Sequence, residues 1–196
     1  RDSVASRGLG DVYKRQVLAA ATDRGVLCER SRFWSDVYGF RMPSMTQGLS
    51  SEAATEDVEA DAIVSDVATI CDLPLEQIPV AQPSFTAPFS LHVKEACKVH
   101  GFVSWFDTWF APTPHVAFDD LPPVTVSPVQ PSDVHGLDLH GNEVVEASEA
   151  THGETVSFTT SPFGKPTHWK QTIFLLKTPI EVQAGICIEG EIRVYA

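Results

Sequence analysis

Hydrophobic residues recur along most of this chain in short runs, many alternating with polar positions, the period-two pattern of half-covered β-strands. Residues 17–22 (VLAAAT) form a first apolar run, and residues 62–72 (AIVSDVATICD), rich in β-branched side chains, predict another strand. Four prolines within residues 73–88 confine that stretch to extended connections and sheet edges. Residues 89–93 (FSLHV) alternate, which places His92 on a solvated face. Residues 99–110 (VHGFVSWFDTWF) carry the strongest pattern, with Phe102, Phe106 and Phe110 on one side and Val99, Val103, Trp105 and Trp109 on the other. Apolar groups on both faces predict a strand covered on both sides, as in a barrel wall, and Gly101 predicts a bend within it. Further strands are predicted at 155–160, at 169–177 and 181–182 around Thr178 and Pro179, and at 186–196, with a tight loop at 161–166 and a turn at 183–185.

Three stretches break the pattern. In residues 23–45 the apolar members are Phe33, Trp34, Val37, Tyr38, Phe40 and Met42; positions 33, 34, 37 and 38 share a helical face, and Gly39 would end the helix. So many aromatics between polar flanks need a surface to bury them, either the domain itself or a partner subunit on which a protruding arm docks. Residues 47–61 are polar and acidic and predict a loop or short helix. Residues 111–154 are proline-rich without a sustained period and predict a surface insertion, with short strands at 124–126 and 144–145. The fold expected is mainly β: an antiparallel β-barrel with one helical projection.

Composition limits what such a domain can do. At 196 residues and 43% hydrophobic content the chain suits one globular domain. A net charge of -12 argues against nucleic acid as a partner and suits Arg- or Lys-rich ones. No apolar run approaches the roughly 20 residues of a membrane span. Cys28, Cys71, Cys97 and Cys187 form no CxxC pair and predict buried free thiols in a reducing compartment, the cytosol or also the nucleus. Asp133, His135, Asp138 and His140 present carboxylates and imidazoles at near-alternating spacing, yet such residues are ordinary in a polar loop, and no metal is expected. No nucleophile elbow is present, and the sole glycine pair resembling a phosphate loop is Gly8 and Gly10. Residues and spacing alone therefore give an all-β domain suited to binding.

Residues 1–16 change character abruptly at Val17, and residues 6–16 (SRGLGDVYKRQ) resemble the conceptual translation of a transposase-based sequencing adaptor. On that reading they lie outside the native protein, the domain runs from 17 to 196, and natural sequence upstream is missing. The end at residues 192–196 interrupts an alternating strand, so truncation is expected there too.

Three short motifs carry a family resemblance. Residues 33–42 (FWSDVYGFRM) look like the dimerisation arm of type I protein arginine N-methyltransferases, although residues 28–31 are less acidic than usual there and Pro43 departs from the pattern. Val99 and His100 leading into Trp105, Phe106 and Asp107 resemble the central barrel strand of that family. Phe158-Thr159-Thr160-Ser161-Pro162 followed by Thr167-His168-Trp169-Lys170-Gln171-Thr172 is similar to the loop and strand bearing its THW triplet. The insertion before this loop and the run WKQTIFLLKTPI after it are most like fungal members of the zinc-finger-bearing, ribosomal-protein-methylating subtype.

The resemblance implies transfer of methyl from S-adenosylmethionine to arginine side chains of proteins, with ribosomal protein one candidate substrate. It implies that the cofactor and two substrate-binding glutamates belong to a Rossmann domain preceding the barrel. His168 would hydrogen-bond to an acidic residue of N-terminal helices and so organise the active site, an imidazole–carboxylate pair fixing both groups. Trp169 would wall the substrate channel and Thr167 would make a local hydrogen bond. Phe33, Tyr38 and Met42 would anchor a head-to-tail homodimer, aromatics being common interface hot spots. The chain by itself would be inactive; the competing class is a non-catalytic β-barrel module binding Arg-rich proteins.

Overall fold

The computed structural model describes residues 11–23, 32–78, 84–113, 115–124, 126 and 154–195. Eight strands follow one another: β1 (Asp11–Ala21), β2 (Ala54–Glu56), β3 (Ile63–Pro74), β4 (Phe85–His92), β5 (Cys97–Ala111), β6 (Val156–Thr159), β7 (Gln171–Val182) and β8 (Cys187–Val194). All pairings are antiparallel. The larger sheet runs β2-β7-β5-β1-β3, with β6 also paired to β5, and β4 and β8 form a second, two-stranded sheet. A Ser65–Val93 bridge and a bond from the Lys94 N–H to the Val64 carbonyl at 2.9 Å link the two. One apolar core spans both sheets, with Ala20, Val64, Leu91, Val99 and Val182 buried together and Ile188 against them. The mainly β, antiparallel expectation therefore holds.

β5 is the spine, and its predicted bend lies where Gly101 stands. Between Val99 and Gly101 the partner strand advances from Ile180 to Leu175, so β7 bulges, five of its residues set against two of β5. A Cβ on Gly101 would collide with the Phe174 carbonyl oxygen, which is why glycine occupies this site. The bulge also corrects the assignment of faces. Val103 and Trp105 pack in one core cluster, but Val99 crosses to the cluster that Phe102 joins. Two-sided cover is only partial, since Phe110 is exposed.

The stretch 11–16, read from sequence as lying outside the fold, forms the first half of β1. It pairs with β3 on one edge and β5 on the other, and Tyr13 is buried. The strand therefore starts at Asp11 rather than Val17. Residues 1–10 lie outside the described residues.

The helix expected within residues 23–45 does not continue to Gly39. Among the described residues only Arg32 and Phe33 are helical, residues 24–31 lying outside them; the chain then folds into a hairpin, with Val37 and Phe40 exchanging backbone hydrogen bonds at 2.9 and 3.1 Å. Tyr38 and Gly39, between them, both have positive φ, at 53° and 85°, the requirement of a tight two-residue hairpin turn. The Asp36 carboxylate accepts the Gly39 N–H at 2.8 Å, and the Met42 N–H returns to the Trp34 carbonyl at 3.0 Å. Local side-chain chemistry at Asp36 and Gly39 thus overrides the helical spacing of the aromatics.

Residues 47–61 also hold more order than expected. A 3-10 turn at Leu49–Ser51 precedes β2, which pairs with Gln171, Thr172 and Ile173 of β7, and a second turn at Ala60–Ala62 leads into β3. The start of the expected insertion is no loose loop either. Val116, Phe118, Leu121 and Val124 cap the end of the sheet against Tyr13, Trp109 and Ala111, and the Trp109 indole donates to the Pro122 carbonyl at 2.8 Å. The remaining insertion, with Asp133, His135, Asp138, His140 and the side strand at 144–145, falls outside the described residues, as does Cys28. Among the other cysteines the expected burial is only partial: Cys71 and Cys97 are half-buried and Cys187 is exposed. Burial pushes the Cys71 and Cys97 thiols up, which suits inert thiols rather than nucleophiles.

Candidate functional site

β6 and β7 lie end to end along one edge of β5: Thr159 pairs with Asp107, and Thr172 pairs with Ser104. Between them residues 160–171 leave the sheet as a compact loop. Its base is tied to β5 from both ends. The Thr160 N–H donates to the Phe106 carbonyl at 3.0 Å, while the Phe106 N–H donates to the Thr160 hydroxyl at 3.1 Å. The Thr159 hydroxyl donates to the Asp107 carboxylate at 2.5 Å and accepts the Ser161 N–H at 3.0 Å. Burial raises the Asp107 carboxyl above its ordinary range, against the lowering effects of Thr159 and Arg15.

The neck is closed by Gln171. Its side-chain amide donates to the Thr160 carbonyl at 2.8 Å, and its oxygen accepts the Val58 N–H at 2.8 Å. Gln171 is buried, on the inward face it shares with Ile173, so both of its polar ends need partners and both have them. Lys170 has φ of 54° and sends its ammonium to Asp57 at 3.3 Å and Glu56 at 3.5 Å, which hold its pKa up, Asp57 first.

The three loop residues singled out from sequence sit together at the tip. His168 and Trp169 are exposed, their rings 3.9 Å apart. Trp169 stacks on Phe158 at 5.4 Å with 23° between planes and meets the edge of Phe106 at 6.1 Å. Phe158 in turn stacks on Phe110 at 6.3 Å, so an aromatic row runs from the loop along the outer face of the sheet. His168 makes no hydrogen bond among the described residues. Thr167 makes a local hydrogen bond through its backbone, its carbonyl accepting the Lys170 N–H at 3.0 Å, while its hydroxyl is buried without a hydrogen-bond partner among those residues, as is that of Ser161. The peptide backbone closes the turn, leaving the hydroxyl unused.

The hairpin residues form a separate exposed patch. Tyr38 is 98% exposed and Phe33 59%, whereas Met42 is half-buried. Phe33 packs edge-on against Trp34 at 4.9 Å, and both line a groove of about 520 Å³ with Met45 and Leu49. Sequence reading placed Phe158, Thr160 and Gln171 in one motif but not the contacts between them, and it missed Val58. The inward parity of Gln171 with Ile173 was the available signal, since a glutamine on a core face must be bonded.

The described residues hold no cluster of three or more metal-ligating side chains and no helix long and apolar enough to cross a membrane. Comparison with known families matches residues 16–136 and 144–196 to the arginine methyltransferase oligomerization subdomain. The fission-yeast "Ribosomal protein arginine N-methyltransferase rmt3" is 32% identical over 91% of this chain, which spans 27% of that relative. The fission-yeast "Protein arginine N-methyltransferase 1" is 27% identical over 89% of the chain and 40% of the relative. Among solved structures, the Trypanosoma brucei PRMT1 enzyme-prozyme heterotetrameric complex with AdoHcy shares the fold, with a TM-score of 0.63 at 23% identity over 91% of this chain and 44% of that one.

Proposed function

The chain belongs to the family of the arginine methyltransferase oligomerization subdomain, and on that footing we propose that it is the β-barrel part of a type I protein arginine N-methyltransferase. It spans well under half the length of these relatives, so the reaction assigned here is that of a longer polypeptide. The reaction moves a methyl group from S-adenosylmethionine to an arginine guanidinium nitrogen, giving asymmetric dimethylarginine. The observation that carries the reading is the loop at residues 160–171, fastened at its neck and base while its tip offers His168 and Trp169 outward.

S-adenosylmethionine supplies the methyl group. Its binding is assigned, by the resemblance, to a Rossmann domain in another part of the longer enzyme. This chain's contribution is positional. Trp169, held by Phe158, gives one wall of the site; a flat aromatic face beside a guanidinium excludes water and favours the cation. His168, which makes no hydrogen bond among the described residues, can pair with a carboxylate across the site and orient it.

The second contribution is assembly. Phe33, Tyr38 and Met42 are read as anchors of a homodimer, with the exposed hairpin as the projecting element. Protein arginines are the substrates, ribosomal protein among them by analogy with the fission-yeast relative's name. The cytosol, with the nucleus, is the compartment assigned.

The 196-residue chain, purified alone, should neither bind S-adenosylmethionine by calorimetry nor methylate an arginine-rich peptide. Turnover by that chain would overturn the division of labour proposed.

A further inference from the structure

Gln171 makes two contacts that differ in chemistry. Its Nε2 donates to the Thr160 carbonyl, which closes the loop, and its Oε1 accepts the Val58 N–H, which ties the loop to the segment following β2. A neutral amide does both at once, whereas an ionised carboxylate accepts but does not donate, and an aliphatic side chain does neither. The next residue back, Lys170, repeats the link to the same segment through Asp57 and Glu56, but at an exposed site where an ion pair contributes little. The loop tip has no other polar side-chain tether among the described residues, since the Thr167 and Ser161 hydroxyls lack hydrogen-bond partners there. Within the loop's neck, the buried amide is the fixed point.

We propose that Gln171 is the positioning residue for the His168–Trp169 tip, setting its place by clamping the loop to Thr160 while registering it against Val58. This rests on the reading that the tip lines the methyltransferase site, but the clamp itself is tested without activity. The segment that Gln171 grips continues into the acidic run Glu59 and Asp61 and back to β2. A shift of that segment would therefore reach the tip through the buried Gln171 side chain, beside the exposed Lys170 ion pairs and the β2–β7 backbone pairing, which makes the strand β2 edge a lever on the active-site loop.

The test separates the two contacts by substitution. In Gln171→Glu the carboxylate still accepts from Val58 but loses the donor to Thr160, and burial raises the carboxyl pKa above the ordinary range for Glu. Amide and indole NMR signals of the 196-residue chain are followed from pH 8 down to pH 5. Above the carboxyl pKa, the Trp169 indole and the amides of residues 161–170 should be displaced and exchange at least tenfold faster, with the Val58 amide still protected. On protonation the donor returns, and the loop signals should move back toward those of the parent chain. Gln171→Leu should release Val58 and the loop together at every pH. Loop signals in Gln171→Glu that match the parent at pH 8, or that never recover on protonation, would overturn the clamp. In the unsubstituted chain, protection of the Gln171 side-chain amide protons from exchange is expected; exchange at the rate of a free glutamine would also overturn it. If the clamp holds and the methyltransferase assignment fails, the NMR results stand unchanged.

Discussion

Trp169 lies stacked on Phe158, their ring centroids 5.4 Å apart, so the exposed end of the loop is fastened to the last strand before it. Stacked aromatic pairs contribute about 0.5–1.5 kcal/mol beyond the area they bury. Replacing Phe158 by Ala should cost about 1–2 kcal/mol in all, because Phe158 is only half-buried. Urea denaturation measures the loss, and quenching of tryptophan emission by acrylamide should rise in the same variant. Unchanged quenching would show that Phe158 does not hold the tip.

The Gly101 site tolerates no side chain. In Gly101→Ala the new methyl meets the Phe174 carbonyl, backbone rather than a flexible side-chain end, and overpacking of this kind costs about 1–3 kcal/mol. A lowered urea midpoint with an unchanged slope is the expected result. A midpoint equal to that of the parent would mean that β5 and β7 do not meet as closely as described.

Asp107 gives a pH dependence with a definite sign. Burial raises its carboxyl in the folded chain, so its protonated form is favoured by folding. Such a group adds stability that is fully present below its unfolded pKa and is lost as pH rises through the raised folded pKa. Asp107→Asn mimics the protonated form and keeps an oxygen to accept the Thr159 hydroxyl. The variant should match the parent near pH 3 and gain on it as pH rises towards neutrality. Thermal unfolding across that range checks this, and a parent that gains on the variant with rising pH would refute it.

The hairpin at residues 36–40 places a tyrosine where L-residues are strained, at φ of 53°. Asn tolerates this conformation better, so Tyr38→Asn should raise stability by about 0.5–1 kcal/mol, since Tyr38 is almost fully exposed and buries nothing. In a longer enzyme carrying this domain the same change should weaken dimerisation, measured by sedimentation, if Tyr38 is an anchor. A gain in stability with undiminished dimerisation would remove Tyr38 from the interface.

Much of this architecture was legible in the sequence because alternation is a local signal. The strands β3, β4, β5 and β7 follow from their own residues, and the THW loop was located by its motif. What escaped depends on contacts distant in sequence or on competing local chemistry. β2 is three residues long and owes its strand form to pairing with β7, which no local period shows. The helix expected within 23–45, running up to Gly39, rested on aromatic spacing, whereas the Asp36 carboxylate and Gly39 specify a turn. Val99 joins the core cluster of Phe102 rather than that of Val103 and Trp105, beyond an irregular step in the β7 pairing that local alternation in β5 does not show. For Thr167, the triplet marked the position but not which of its atoms would be used.

The most direct test of the central claim joins this domain to a working partner. In the fission-yeast rmt3 relative, the matched region is replaced by residues 11–196, and methylation of an arginine-rich protein is followed with labelled S-adenosylmethionine. The account predicts that the folded chimera forms asymmetric dimethylarginine, that His168→Ala lowers its rate at least tenfold without lowering the unfolding temperature, and that Trp169→Ala lowers the rate at least tenfold in a chimera that stays folded. A folded, dimeric chimera whose rate is indifferent to both substitutions would contradict it.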